Sequence, residues 1–384
     1  MIAVIADDLT GAAEIGGIGL SRGLSVEVAL EVNPLSTADL LIISTDTRSK
    51  TESEAVAEIE AVSKKIAALK PRLIFKKVDS ALRGHIIPEI EAQLKIFGNR
   101  KALVVAANPA LGRTIVNGQY LIHGKPLDQT AFKDDPEFPA KSSQVVELLP
   151  AKNLPIIVKK HGDQLADNQI AVGEVSHTTD LKKWTGCVGE NMLLAGGSGF
   201  FSAILDSLEP LPTSEPVAAQ PFKGNKLYVC GTAFVSSQLR VAAISNQKGL
   251  VNYLPENLFL SDELTLSVVE SFVLEVSQKL SQQGAAVIAI NPLTRNGKNI
   301  NAISLREKTA LLVQDVFQKA QIDEMVIEGG STATAIFNAL NIKTLFPTNE
   351  YAPGVIRCRA GEIENLYITL KPGSYSWPKE VWIF

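Results

Sequence analysis

The sequence predicts an α/β protein of two domains, each an open, mostly parallel sheet flanked by helices. Three observations carry that expectation. Short apolar runs of strand length alternate with stretches of helical periodicity. Several of those runs break off in clusters of polar residues. A chain of 384 residues with one proline-rich interruption is also long enough for two separate cores.

The first run, Ile2 to Ala6, is β-branched and too short for a helix, as suits a strand buried on both faces. It ends in Asp7-Asp8. One of these acids can cap the following helix, but two adjacent carboxylates call for a cation, a basic partner or a substrate proton. A helix is expected over 12–22 despite Gly16, Gly17 and Gly19, each costing about 1 kcal/mol relative to alanine. Close packing on the sheet is the expected compensation. Strands follow at 25–32 and 39–45, the second ending in Asp46-Thr47-Arg48. Thr51 and Glu54 form a capping box for a helix over 54–69. A strand over 73–78 leads into Asp79-Ser80-Ala81-Leu82-Arg83-Gly84, then a helix over 87–97 with Pro88 in its first turn, then a strand over 102–107.

If these strands are parallel, Asp7/Asp8, Asp46/Arg48 and Asp79/Ser80/Arg83 meet on one rim, where ligands bind in such sheets. Arg48 and Arg83 offer planar forks for a carboxylate. Lys76 and Lys77 are neighbours in a strand and face opposite ways, so one can reach the rim while the other pairs elsewhere. Asp8 and Asp79 can orient a hydroxyl or take its proton. These residue types fit a small hydroxy acid held by its carboxylate, with one hydroxyl activated.

Composition excludes some partners. With 37 Lys and Arg against 41 Asp and Glu, the net charge of −4 gives no reason to expect nucleic acid. Cys187, Cys230 and Cys358 lack metal spacing and read as reduced thiols in a cytoplasmic setting. No apolar run reaches membrane-spanning length and no basic region precedes the first one, so a soluble cytosolic protein is expected.

Residues 209–225, with four prolines, are the expected linker between a domain at 1–208 and one at 226–384. In the second domain a strand at 226–230 runs into Gly231-Thr232, followed by a helix from about Ser236. Ser261-Asp262-Glu263 starts an amphipathic helix whose Phe272, Val273, Val276 and Leu280 belong to the core. A strand at 285–290, a helix at 301–320 and a strand at 325–328 follow. Gly329-Gly330-Ser331-Thr332 then precede a helix at 333–340. Strand, small-residue turn and helix is an arrangement that attracts phosphate, although the spacing is neither a Walker A loop nor G-x-G-x-x-G. An ordinary tight turn is the alternative, and Pro372-Gly373 has the same plain reading.

IADDLTGA (5–12), KKVDSALRGHIIPEI (76–90), the stretch from Asn108 to Pro139 and LLAGGSGFFSAIL (193–205) resemble the four-carbon acid sugar kinase family, the kinases of threonate, erythronate and 3-oxo-tetronate. Cys230-Gly231-Thr232, GGSTATAIFNAL, YAPGVIRCRAG and TLKPGSYSW resemble its second half. The resemblance implies an amino-terminal domain for the acid sugar, a carboxyl-terminal domain for ATP, accompanying Mg2+ with ligands unassigned, and an active site in the cleft between them. It implies substrate contacts at Asp8, Arg48, Lys77, Val78, Asp79 and Ser80, joined by Arg83 from the rim chemistry. It implies nucleotide contacts at Thr232, Gly329, Gly330, Ser331, Thr332 and Gly373. Asp8 and Asp79 are the expected catalysts, and a homodimer is compatible with this reading. Ala81 and His85 stand where the family has Thr and Asn, and Ser331 stands where it has an acid. A non-catalytic sensor of acid sugar or nucleotide is the second reading. A phosphatase built on Asp7/Asp8 is the weaker third, because aspartyl-nucleophile signatures space their acids by one residue.

Overall fold

Five consecutive buried residues, Ile2–Ala6, form β1, and the chain turns at Asp7 into a helix, α1 (Leu9–Leu20). The structure is a computed structural model. It describes residues 1–135, 138–187, 189, 191–208, 221–231, 235–256, 266–291, 301–373 and 375–384. Residues 209–220, most of the expected linker, lie outside the described residues, as do Thr232 and the expected helix start at Ser261. The chain divides into two units, Met1–Glu215 and Pro216–Phe384.

In the first unit β2 (Val26–Ala29), β3 (Leu40–Ser44), α2 (Glu52–Ala68), β4 (Leu73–Lys77), α3 (Ile86–Phe97) and β5 (Lys101–Val105) follow in order. An antiparallel meander comes next, β6 (Arg113–Val116), β7 (Gln119–Ile122) and β8 (Lys125–Pro126), then a single helical turn, α4 (Val145–Leu148). β9 (Ile156–Lys159), β10 (Ile170–Gly173), α5 (Thr178–Thr185), β11 (Met192–Gly196) and α6 (Ser198–Ser207) complete the unit. The main strands pair in the order β2-β3-β1-β4-β11-β5-β10-β9, all parallel. The chain leaves β1 toward the β2 edge and leaves β4 toward β5. The boundary between β1 and β4 is therefore a topological switch point, where connections diverge and leave a crevice at the carboxyl ends.

The second unit runs β12 (Lys226–Cys230), α7 (Val235–Lys248), β13 (Val251–Tyr253), α8 (Leu266–Gln283), β14 (Ala285–Ala289), α9 (Ala302–Lys319), β15 (Glu324–Glu328), α10 (Gly330–Leu340), β16 (Thr344–Ala352), β17 (Val355–Ala360) and β18 (Tyr367–Lys371). Its strand order is β13-β14-β12-β15-β18-β17-β16, parallel except that β17 is antiparallel to both neighbours. Here the switch point lies between β12 and β15.

Element boundaries depart from the sequence reading where a cap decides them. α1 starts three residues early because the Asp8 carboxylate accepts the Gly11 amide at 3.1 Å. α10 begins at Gly330, not Ala333, because Gly329 alone makes the turn with φ of 102°. The capping box of Thr51 and Glu54 forms as expected and α2 begins at Glu52. The glycines of α1 are explained at Gly19, where a Cβ would lie 2.5 Å from Leu40 Cδ2 and 3.0 Å from Val26 Cγ2. Leu40 is fully buried, so it cannot swing aside.

Gly19→Ala should therefore lower stability by about 1–3 kcal/mol, although alanine is the better helix former. Urea denaturation of the variant checks this, and an unchanged or raised midpoint would refute the close-packing account.

Candidate functional site

The strand-end clusters of the first unit meet. Arg48, just beyond β3, donates from Nε to Asp7 Oδ2 at 2.8 Å and from a terminal nitrogen to Asp8 Oδ1 at 3.0 Å. Its other terminal nitrogen lies 3.6 Å from Asp79 Oδ1. One guanidinium thus faces carboxylates from the ends of both β1 and β4. Its backbone amide also donates to Asp7 O at 3.3 Å, which fixes where the side chain starts. Gly84, with φ of 95°, passes close enough that a Cβ would sit 3.3 Å from Arg48 Cγ.

Asp79 is the most heavily bonded acid. Arg83 grips it with Nε to Oδ2 and a terminal nitrogen to Oδ1, both at 2.9 Å. The Ala81 amide adds a bond at 3.0 Å and the Arg83 amide one at 3.3 Å. Burial works against its charge, but Arg83 and then Arg48 outweigh it and hold the carboxyl well below the ordinary range. Asp8 is likewise lowered: burial opposes this, while Arg48, Lys77 and the Thr10 hydroxyl at 2.5 Å favour the anion. Asp7 goes the other way, because desolvation exceeds the pull of Arg48. Its Oδ1 is buried with no hydrogen-bond partner among the described residues. Adjacent acids in one sequence pair thus hold opposite electrostatic positions.

The two lysines of β4 separate as the strand geometry requires. Lys77 donates to Val78 O at 3.1 Å and lies 3.8 Å from Glu14. Lys76 is fully buried on the opposite face, 2.5 Å from Glu89 of α3. Val78 buries its side chain, and its amide donates to Gly196 O at 3.0 Å. Ser80 is met from the meander: Arg113 donates to its hydroxyl and the Tyr120 hydroxyl to its carbonyl. His85 bonds the Lys50 carbonyl at 2.8 Å and packs edge-on to Phe138, which accounts for it as a loop tie.

Sequence reasoning missed Arg113, Tyr120, Phe132 and Asp135. Asp135 accepts from Arg83 at 2.8 Å, and the Phe132 ring lies 5.2 Å from the Arg83 guanidinium and 5.8 Å from that of Arg113. The signal available was Gly112-Arg113 after Asn108-Pro109, within the segment carrying the resemblance. Among the described residues Arg113 is the one cation of this cluster with no carboxylate within 4.0 Å.

In the second unit Gly231 and Thr332, from the ends of β12 and the start of α10, are in contact: a Cβ on Gly231 would fall 2.1 Å from Thr332 Oγ1. Gly330, Ser331 and Thr332 form the first turn of α10, which Gly329 caps without a side chain. The Gly329 amide donates to Lys371 O at 2.9 Å, which brings the segment carrying Gly373 alongside. Helix-start amides beside glycines suit an anionic group. Among the described residues no group of three or more His, Cys, Asp or Glu is arranged to hold a metal ion, and no helix is long and apolar enough to cross a membrane.

Two family models match, a sugar-binding N-terminal domain over residues 2–204 and a nucleotide-binding C-terminal domain over 227–375. A D-threonate kinase of Salmonella typhimurium is 26% identical over 97% of this chain and 94% of its own length. A D-erythronate kinase of Heliobacterium modesticaldum is 35% identical over 40% of this chain and 36% of its own length. A 3-oxo-tetronate kinase of Brucella melitensis is 25% identical over 97% of this chain and 92% of its own. A crystal structure of a Haemophilus influenzae protein superposes with a TM-score of 0.69 at 20% identity, covering 97% of each chain. One of a Salmonella typhimurium protein gives 0.76 at 18% identity over 98% of this chain and 96% of that one. At such identities these two structures speak for the fold.

Arg48→Met would leave Asp7, Asp8 and Asp79 without their shared counter-charge, at an expected cost of about 3–5 kcal/mol at pH 7. All three folded-state pKa values then rise, so the deficit should shrink as pH falls and the acids protonate. Urea denaturation at pH 7 and pH 5 measures it; a pH-independent deficit would contradict the shared-charge account.

Proposed function

The chain belongs to the four-carbon acid sugar kinase family, and from that premise we propose that it transfers the γ-phosphoryl group of ATP to a hydroxyl of a small acid sugar. The observation that carries this reading is the convergence of Asp8, Arg48, Asp79 and Arg83 at the switch point of the unit that matches the sugar-binding model. The relatives' substrates (D-threonate, D-erythronate and 3-oxo-tetronate) define the class to try first.

Phosphoryl transfer needs positioning and charge neutralisation more than covalent help from the protein. Asp8 orients the accepting hydroxyl and receives its proton as the oxygen–phosphorus bond forms and the bond to ADP breaks. Its lowered pKa makes it a modest base, adequate where orientation dominates. Asp79, already bonded by Arg83 and two amides and paired with Arg48 at 3.6 Å, holds both arginines in place. Arg48 is committed to the protein's own acids, so the substrate carboxylate falls to Arg113, with Ser80 beside it and Lys77 as a further cation of the unit. Gly329, Gly330, Ser331, Thr332 and Gly373 form the nucleotide side, together with Thr232, which lies outside the described residues. The acids near the sugar site are engaged by arginines and do not compose a magnesium site, so no step is assigned to the metal.

Coupled ADP assays with ATP and each of the three acids test the activity. Turnover on at least one supports it; nucleotide and acid binding without ADP release on any would favour the sensor reading. Asp8→Asn and Asp79→Asn should each lower kcat by about 100-fold or more with a much smaller change in the KM for ATP, and unchanged turnover in both would remove their roles.

Arg113→Met should raise the KM for the acid by about 10- to 100-fold, the range of one charge-assisted contact. The variant should treat the corresponding uncharged amide as the parent does. Equal losses on acid and amide would show that Arg113 does not read the carboxylate.

A further inference from the structure

The sheet register of the second unit sets three terminal residues side by side: Cys230 of β12 and Lys371 of β18 both pair with Glu328 of β15. Each is the last residue of its strand, and each is followed at once by a segment assigned above to the nucleotide: Gly231-Thr232, Gly329 to Thr332, and Pro372-Gly373. In a parallel sheet, paired residues point to the same face, so their side chains form one row beneath these segments. Glu328 is 1% exposed and Lys371 0%. The Lys371 ammonium lies 2.5 Å from Glu328 Oε1, donates to Pro372 O at 2.9 Å and reaches Tyr375 O at 2.6 Å. Those three acceptors use all three of its protons. The other Glu328 oxygen accepts the hydroxyl of Ser237, in the first turn of α7.

We propose that the Glu328–Lys371 pair is a positioning device for nucleotide binding, tying the start of α7, the start of α10 and the carbonyls of Pro372 and Tyr375 into one fixed cradle. Neither side chain touches the nucleotide. Lys371 closes the turn that presents Gly373 by holding two of its carbonyls inward, and the Gly329 amide bonds the Lys371 carbonyl on the adjacent strand. Stability alone does not explain such a pair, since apolar residues of the same volume often replace a buried ion pair without loss. A lysine that satisfies two loop carbonyls as well as a carboxylate fixes loop shape, which an apolar substitute cannot do. The inference rests on the reading of this unit as the ATP site.

Direct binding of ADP by calorimetry tests it on the full chain, beside thermal denaturation and steady-state kinetics. Lys371→Met is expected to raise the Kd for ADP by about tenfold or more and the KM for ATP in parallel, with the KM for the acid sugar unchanged. Glu328→Gln, which keeps the shape and an acceptor, and Ser237→Ala, which cuts only the α7 tie, should give smaller rises of the same kind. A merely structural role would lower the active fraction and leave the Kd of the folded protein unmoved. If Lys371→Met fails to fold, the other two variants carry the test. Variants that bind ADP within twofold of the parent overturn the inference alone. A parent chain that binds no ADP overturns the nucleotide reading, and this inference with it.

Discussion

One guanidinium organises the first unit's candidate site. Arg48 touches the acids that end β1 and faces the acid that follows β4. Without that charge, three carboxylates would share a poorly hydrated crevice. With it, and with Arg83 gripping Asp79, Asp8 and Asp79 are held below the usual carboxylate range, while Asp7 is left with a raised pKa and an oxygen that has no hydrogen-bond partner among the described residues. The asymmetry follows from bonding: Asp8 has Thr10, the Gly11 amide and Lys77 in support, while Asp7 has little beyond Arg48 to offset its burial.

Much of this was legible in the sequence because strand ends are legible. A β-branched run broken by Asp-Asp, and two more broken by Asp46-Thr47-Arg48 and Asp79-Ser80, declare both the strand and the rim to which it delivers its polar residues. The alternation rule also separated Lys77 from Lys76, although the identity of Glu89 as the partner of Lys76 depends on how α3 packs. Arg113, Phe132 and Asp135 were not legible, since they come from the meander and loop after β5, whose path over the rim is set by long-range pairings such as that of Ile115 with Val175. The carboxyl-terminal β16–β18 were missed for a related reason: β17 runs against both neighbours, and its buried pattern includes Arg357, a residue that reads as surface. Boundary shifts at α1 and α10 came from a side-chain cap and a single glycine, details finer than periodicity.

The same construction occurs in both units. In each, the chain leaves two adjacent parallel strands in opposite directions, and the residues at their carboxyl ends bear the resemblance to known ligand segments. What differs is the chemistry placed there. The first unit delivers side-chain charge, suited to a polar substrate bearing a carboxylate and hydroxyls. The second delivers backbone amides, glycines and hydroxyls, suited to phosphate, and keeps its charged pair beneath the surface.

Buried charge is costly, so its placement is informative. Glu324 and Arg357 form another buried pair in the second unit, but it lies at the amino end of β15, where Arg357 stacks on Tyr367 with its guanidinium 3.9 Å from the ring centroid. Neither member of the pair, nor either aromatic ring beside Arg357, is assigned to a ligand. Lys371 and Arg48 differ in kind. Each sits at a carboxyl edge: Lys371 bonds Glu328 and two carbonyls that follow its strand, while the Arg48 side chain bonds the acids of the Asp7-Asp8 turn and its amide bonds the Asp7 carbonyl. A charge that binds both a carboxylate and a turn converts electrostatic energy into loop geometry. A site for phosphoryl transfer needs that conversion, because its rate depends on where the oxygen and the phosphorus are held.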